Sequence, residues 1–314
     1  MRTPTREDAM RVVRHALGAG VSAISRFPTG LSHYVYDVVT DDGRRIVVRM
    51  ASSDTRDALA GGIYWHERLR AVGVPLPALL YANLGQGDDL PVMVLERLPG
   101  CDLGDEYDQL TPLQRRAIAH QIASIQSRVA TLPPARGFGF AHSYDDPTLY
   151  ASWLDVVLAE LERSRQRISA VGMVDISHMD RVSERVQTIA PYLRTVEPCA
   201  FLDDTTTKNV LIHEGTLSGI VDTDYVCFGD PLFTVALTRM SLLAHEHDID
   251  YITYWCEHLR LSEPQRHALD IYTAVFCVNF LSEIGQQFNK DEAPPVDGVY
   301  QRHLEAILRR LLDG

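Results

Sequence analysis

The apolar positions of the chain change period near its first third. Met10, Val13 and Leu17 recur at helical intervals over residues 6–18, and Thr5 is placed to cap them. From Val21 the period shortens to that of strands. Val21, Ala23 and Ile24 lead to a turn carrying Gly30 and Ser32, Tyr34 to Thr40 is β-branched and aromatic, and Asp41-Asp42-Gly43 turns the chain into Arg45 to Met50. Residues 55–72 return to helical spacing, with Leu59, Ile63 and Leu69 apolar and Gly73 as the stop. After the rigid Val74-Pro75-Leu76-Pro77, residues 78–82 and 91–95 read as two further strands, and Leu98-Pro99-Gly100 breaks the pattern.

Helices dominate from there on. Thr111-Pro112-Leu113-Gln114 has the form of a capping box with Pro at the first helical position, and Ile118, Ile122, Ile125 and Val129 make one apolar stripe. Helices are expected over 147–167, 179–194, 231–244, 249–260, 264–285 and 298–312. Between the helices expected over 179–194 and 231–244, Val210-Leu211-Ile212 and Gly219-Ile220-Val221 flank a turn at Gly215 and read as a hairpin. Strands first and helices second predict an α+β fold of two segregated lobes, residues 1–98 and 99–314.

Composition narrows the function classes. Apolar content of 46% with 23% charged residues belongs to a folded chain, and a net charge of −12 lacks the basic footprint that nucleic acid or an anionic membrane requires. The five cysteines are scattered and never form a C-x-x-C pair, a pattern of reduced thiols with no disulfide frame or zinc site. MRTPTREDAM is too polar for a signal peptide, and no apolar run approaches the about 18 residues of a membrane span, so the expectation is a cytoplasmic protein.

The chemistry-bearing stretch is Asp203 to Asp230. Asp204 and Asn209 bracket a polar loop, the hairpin follows, and its return strand ends at Asp222. Strands of a hairpin lie side by side, so Asn209 and Asp222 should be neighbours at its open end, making a site for a hard cation with a carboxylate beside it. Asp and Asn are also ordinary turn residues, but an acid ending the apolar Ile220-Val221 needs a cation or several donors. Upstream, the turn at Gly30 can lie over phosphates or serve as a plain hairpin turn. Arg49, inside Ile46-Val47-Val48-Arg49-Met50, can reach beneath that turn or face outward as an alternating strand residue. Asp203 and Asp224 are extra acids that a solvated loop also explains. His245-Glu246-His247-Asp248 lacks the spacing of a helical zinc site and reads as a helix junction.

Together these features resemble the aminoglycoside phosphotransferase family, relatives of choline and homoserine kinases with a protein-kinase-like fold. The family's HGD-x-x-x-x-N loop, strand-terminal I-D and following G-D-P correspond to Leu202-Asp203-Asp204 with Asn209, to Ile220-Val221-Asp222, and to Gly229-Asp230-Pro231. The resemblance spans about residues 20 to 312. It implies a small lobe with an antiparallel sheet over a nucleotide and a larger helical lobe. Asp204 is then the catalytic acid, Asn209 and Asp222 the magnesium ligands, and Asp230 a brace for the loop. Arg49 stands where the family has a phosphate-holding lysine. Gly30 and Ser32 would cover the phosphates, and Glu96 and Leu98 would form the hinge beside the purine of ATP or GTP. The implied function is magnesium-dependent transfer of a γ-phosphoryl group to a hydroxyl of a small acceptor. A cationic acceptor would suit the acids Glu246, Asp248, Asp250, Glu257 and Glu283, which solvated helix faces explain equally well. Three departures stand out: Leu202 replaces the family's histidine, Asp203 its glycine, and the helix acid that pairs with the strand cation has no match, Gly61 and Gly62 lying where it belongs. They motivate an alternative, a non-catalytic nucleotide-binding module.

Overall fold

A computed structural model describes residues 3–27, 33–52, 55–85, 89–286 and 297–313. Thr5 opens α1 (Arg6–Leu17) through a reciprocal capping box with Asp8. Strands β1 (Val21–Arg26), β2 (Tyr34–Thr40) and β3 (Arg45–Met50) follow, then α2 (Arg56–Ala71), β4 (Leu79–Asn83) and β5 (Val92–Glu96). They form one antiparallel sheet in the order β1-β2-β3-β5-β4, which places β3 at its centre. Alternation then sorts β3. Ile46, Val48 and Met50 pack with Tyr36, Val38 and the Ala9 and Val13 of α1, while Val47 packs with Leu59 of α2 and with Met93 and Leu95. Arg49 shares the face of Val47, so it points toward α2 and is buried rather than solvated.

Past Leu98 the chain forms β6 (Cys101–Asp102), the short α3 (Leu103–Glu106), and α4 (Pro112–Val129) with the expected capping box. Then come β7 (Gly139–Ala141), α5 (Trp153–Val171), α6 (Ser177–Thr188), α7 (Ala190–Leu193), β8 (Cys199–Phe201), the hairpin β9 (Val210–His213) and β10 (Thr216–Ile220), and β11 (Val226–Gly229). Helices α8 (Leu232–Ala244), α9 (Asp250–Leu259), α10 (Glu263–Leu281) and α11 (Gly298–Asp313) close the sequence. Their apolar faces and those of α4 to α6 make one continuous core.

Three expectations shift. The helix expected from residue 147 starts at Trp153, because Tyr150 exchanges backbone hydrogen bonds with Phe138 at 2.8 and 2.9 Å and keeps the chain extended until Ser152 caps the helix. The helix expected over 179–194 is two, parted at Ile189 just before Pro191. Strands also continue past Gly100: β6 pairs with β9, and β11 pairs with both β7 and β8. The first of these pairings matters for the site. Gly100, at φ 95, brings its backbone so near Ile212 that an added Cβ would meet the carbonyl oxygen, and the Pro75 carbonyl accepts from Ile220 N–H at 2.9 Å. The stretch after β5 and the one after α2 are thereby both laid against the hairpin.

Candidate active site

The loop between β8 and β9 is held by its backbone. Leu202 is buried, and Gln126 of α4 grips both its polar groups: Leu202 N–H donates to Oε1 at 2.9 Å, and its carbonyl accepts from Nε2 at 2.9 Å. The same Nε2 lies 3.1 Å from Thr205 Oγ1, which in turn bonds Thr234 of α8 at 3.0 Å. A side-chain amide that satisfies a buried amide and carbonyl together does what a backbone-supporting histidine would do. Gln126 carries no sequence signal, since it lies among the polar positions of a helix whose apolar stripe drew attention.

The loop positions the predicted residues together. Asp204 Oδ1 accepts from Thr206 Oγ1 at 2.8 Å, and the Asp204 carbonyl accepts from Asn209 Nδ2 at 3.2 Å. Asn209 so commits its amide nitrogen, leaving its oxygen as the atom able to ligate a cation. Its carbonyl accepts from Val221 N–H at 3.0 Å, which sets Asn209 beside Asp222 at the open end of the hairpin. Asp222 has φ 62, a left-handed conformation that Asp tolerates better than most residues but that still carries strain. Its side chain is 52% exposed, so the carboxylate faces the cleft instead of the core.

Arg49 closes the opposite wall. Its Nη2 donates to Asp222 Oδ1 at 2.7 Å and to Asp224 Oδ2 at 2.9 Å, joining the first sheet to the loop after β10. His33 Nε2 lies 2.7 Å from the same Asp224 oxygen. Asp224, which a solvated loop would have explained, is buried with two cationic or polar partners. Glu96, at the end of β5, is exposed and accepts from Ala78 N–H at 3.2 Å, and the Leu98 carbonyl accepts from Arg97 Nη1 at 3.1 Å. Gly30 and Ser32 lie outside the described residues.

The acids differ in proton affinity. Burial raises the Asp204 carboxyl above its ordinary range, the Thr206 hydroxyl partly offsets this, and the charge of Asp222 adds to the rise. Asp203 is pushed up to about 8, by burial first and by Asp204 second. At Asp224 burial again acts upward, but the charge of Arg49 and the bond from His33 outweigh it and hold the carboxyl low. Asp230 sits apart from the loop: it accepts from Tyr192 Oη at 2.7 Å, Tyr272 Oη at 2.9 Å and Leu232 N–H at 3.0 Å. It thus braces the start of α8 against α7 and α10, and the brace of the loop itself is Gln126.

The acids considered for a cationic acceptor have partners of their own. Asp250 pairs with Arg115 at 3.0 Å, Glu257 with Arg116 at 3.7 Å and Glu246 with His303 at 3.5 Å, and Asp248 Oδ1 accepts from Asp250 N–H at 2.9 Å. Glu283 is different: burial pushes its carboxyl up against the lowering charges of Arg167, Arg163 and Lys208. His245 to Asp248 form the junction of α8 and α9, and no group of three or more ligating side chains is placed to hold a metal among the described residues. The magnesium expected here needs fewer: one carboxylate and one amide oxygen with phosphate oxygens, an all-oxygen set that Asp222 and Asn209 can begin.

The model of the phosphotransferase enzyme family matches residues 23–270. The chain belongs to that family. The phosphotransferase is also similar in fold to solved aminoglycoside phosphotransferases. One is a thermostable mutant of APH(4)-Ia in ternary complex with ADP and hygromycin B, with 17% identity, a TM-score of 0.66, and 96% of this chain and 97% of that one covered. Another is aminoglycoside 2'-phosphotransferase-IIIa in complex with GDP, with 14% identity, a TM-score of 0.69, and 99% of each chain covered. A third is ADP-bound APH(2'')-Ib, with 12% identity, a TM-score of 0.65, and 98% and 99% covered. No match was found among curated proteins. The phosphotransferase is therefore a kinase with a hydroxyl acceptor, built on a sheet-bearing N-terminal part and a helical C-terminal part. None of its described helices is long and apolar enough to cross a membrane.

Proposed function

We propose that this phosphotransferase moves the γ-phosphoryl group of ATP or GTP to a hydroxyl of a small molecule, with magnesium held by Asn209 and Asp222. Residues 1–98 would cover the nucleotide, and residues 99–314 would supply the loop and the acceptor site. The observation that carries this reading is the meeting of Arg49 from β3 with Asp222 at 2.7 Å, directly beside Asn209 and the Asp204 loop. Solved structures of similar fold contain ADP or GDP, which supports a purine nucleotide as donor.

Catalysis on this geometry is positioning and charge compensation. Asp204 would accept a hydrogen bond from the acceptor hydroxyl and aim it at phosphorus. Its raised proton affinity makes it a better base than an ordinary carboxylate as that hydroxyl loses its proton. Arg49 would lay its guanidinium along phosphate oxygens, a planar fork where relatives use a compact ammonium. Magnesium, when bound, would offset the charge of the transferring phosphates. Glu96 and Leu98 would form the hinge beside the purine, and Gly30 and Ser32 would cover the phosphates.

Incubation with γ-labelled ATP and GTP across a panel of aminoglycosides, macrolides, amino alcohols and sugars tests the reading. Magnesium-dependent transfer of label to a hydroxyl compound is expected. Stabilisation by magnesium-nucleotide with no transfer anywhere in the panel would favour the non-catalytic alternative.

A further inference from the structure

Three observations converge on Asp224. Its carboxylate is the buried counter-ion of Arg49, at 2.9 Å, across 175 residues of sequence. The same oxygen meets His33, the last residue before β2, at 2.7 Å. And α2, the helix that packs against β3, has no side chain at Gly61 or Gly62, the two positions that face Asp224. A Cβ on Gly61 would stand 2.3 Å from the Asp224 carbonyl oxygen and 2.9 Å from His142 Cδ2, and one on Gly62 would stand 2.7 Å from Asp224 Oδ1. Two adjacent glycines inside a helix weaken it by about 1 kcal/mol each relative to alanine. The close approach of the Asp224 segment accounts for them.

We propose that Asp224 is the positioning acid for Arg49, doing from the loop after β10 what a glutamate on α2 would do from the helix. The proposal rests on the reading of Arg49 as the phosphate-holding cation. An arginine on a strand has several rotamers, and only a fixed counter-ion keeps its fork turned into the cleft. Asp224 provides that from the C-terminal part of the molecule and, through His33, also anchors the residue that leads into β2. The segment is itself wedged in place: the His142 ring meets that of Tyr225 at 4.5 Å in a tilted contact, and the His142 amide and ring are both held by Asp146. The missing helix acid is thereby a relocation of the charge, and Gly61-Gly62 is the space that the relocation requires.

The swap of charge between the two elements provides the test. In Asp224→Ala the space beside Gly62 empties, and the next neighbour of a Cβ there is Met93 Sδ at an ordinary 3.5 Å. Binding of magnesium with a non-hydrolysable ATP or GTP analogue, followed by calorimetry, should weaken by about tenfold or more in Asp224→Ala, and most of it should return in the double variant Asp224→Ala/Gly62→Glu. Asp224→Asn, of the same shape, should lose affinity with the alanine variant and covers the case in which alanine unfolds the loop. Undiminished affinity in the folded Asp224 variants would overturn the proposal. So would a loss that Gly62→Glu leaves uncorrected while magnesium affinity alone has fallen, since that is the behaviour of a metal ligand. Because the readout is binding, a wild-type protein that binds nucleotide but transfers nothing would refute the proposed function and leave this test readable.

Discussion

Two groups of buried acid in this molecule are chemically alike and physically opposite. Asp230 has three donors, from Tyr192, Tyr272 and the Leu232 amide, and joins three helices of the C-terminal core. Asp204 and Asp203, in the loop after β8, are partly buried, have fewer donors, and lie beside each other and Asp222. A buried carboxylate that has spent its lone pairs on fixed donors is a structural joint. One left short of donors beside like charge holds free energy that a proton, a metal or a substrate hydroxyl can release. Asp224 stands between the two kinds: Arg49 and His33 share its Oδ2, while its Oδ1 is buried without a donor among the described residues.

The comparison can be broken where its expected effects are largest. Asp222→Ala should lose about 10²-fold or more in phosphoryl transfer, with little change in melting temperature, because its half-exposed side chain serves the cleft and not the core. Loss of folding in that variant would make Asp222 a joint as well. Asp230→Ala should do the reverse, lowering stability by about 3 kcal/mol in denaturant titrations by removing the acceptor shared by the Tyr192 and Tyr272 hydroxyls and the Leu232 amide. Gln126→Ala lies between the two: it strands the Leu202 amide and carbonyl, and about 2 kcal/mol of stability and a fall in kcat are expected together.

A further effect is one of pH. The Asp203 carboxyl is raised to about 8 from an unfolded value near 4, so the folded chain binds this proton more tightly than the unfolded chain does. Its contribution to stability is full below the unfolded value and is lost as pH rises toward 8. Asp203→Asn should flatten that decline in metal-free protein, gaining stability over wild type most clearly at pH 8 and above. Identical pH–stability curves for the two proteins would place Asp203 in ordinary solvent.

What could be read in advance divides along sequence distance. The hairpin and the Asn209–Asp222 approach depend on residues within a short stretch and follow from strand periodicity and a turn. The capping boxes at Thr5 and Thr111 are equally local. The link of Arg49 to Asp224 joins residues 175 apart, and no periodicity reports it. Gly61 and Gly62 appear in the sequence only as a missing glutamate, and they acquire a meaning when Asp224 is seen against them. The strands β7, β8 and β11 have three or four residues each and distant partners, too short for alternation to register. The late start of α5 has the same origin, since Tyr150 is held by Phe138 from before it.

In the proposed function Asp204 is an acid kept for chemistry and Asp230 one kept for structure. Single-turnover phosphoryl transfer and thermal unfolding, measured side by side on Asp204→Ala and Asp230→Ala, test it most directly. Asp204→Ala should unfold near the wild-type temperature while transfer falls by about 10²-fold or more, and Asp230→Ala should unfold well below it. Transfer at the wild-type rate by folded Asp204→Ala would contradict that division of roles.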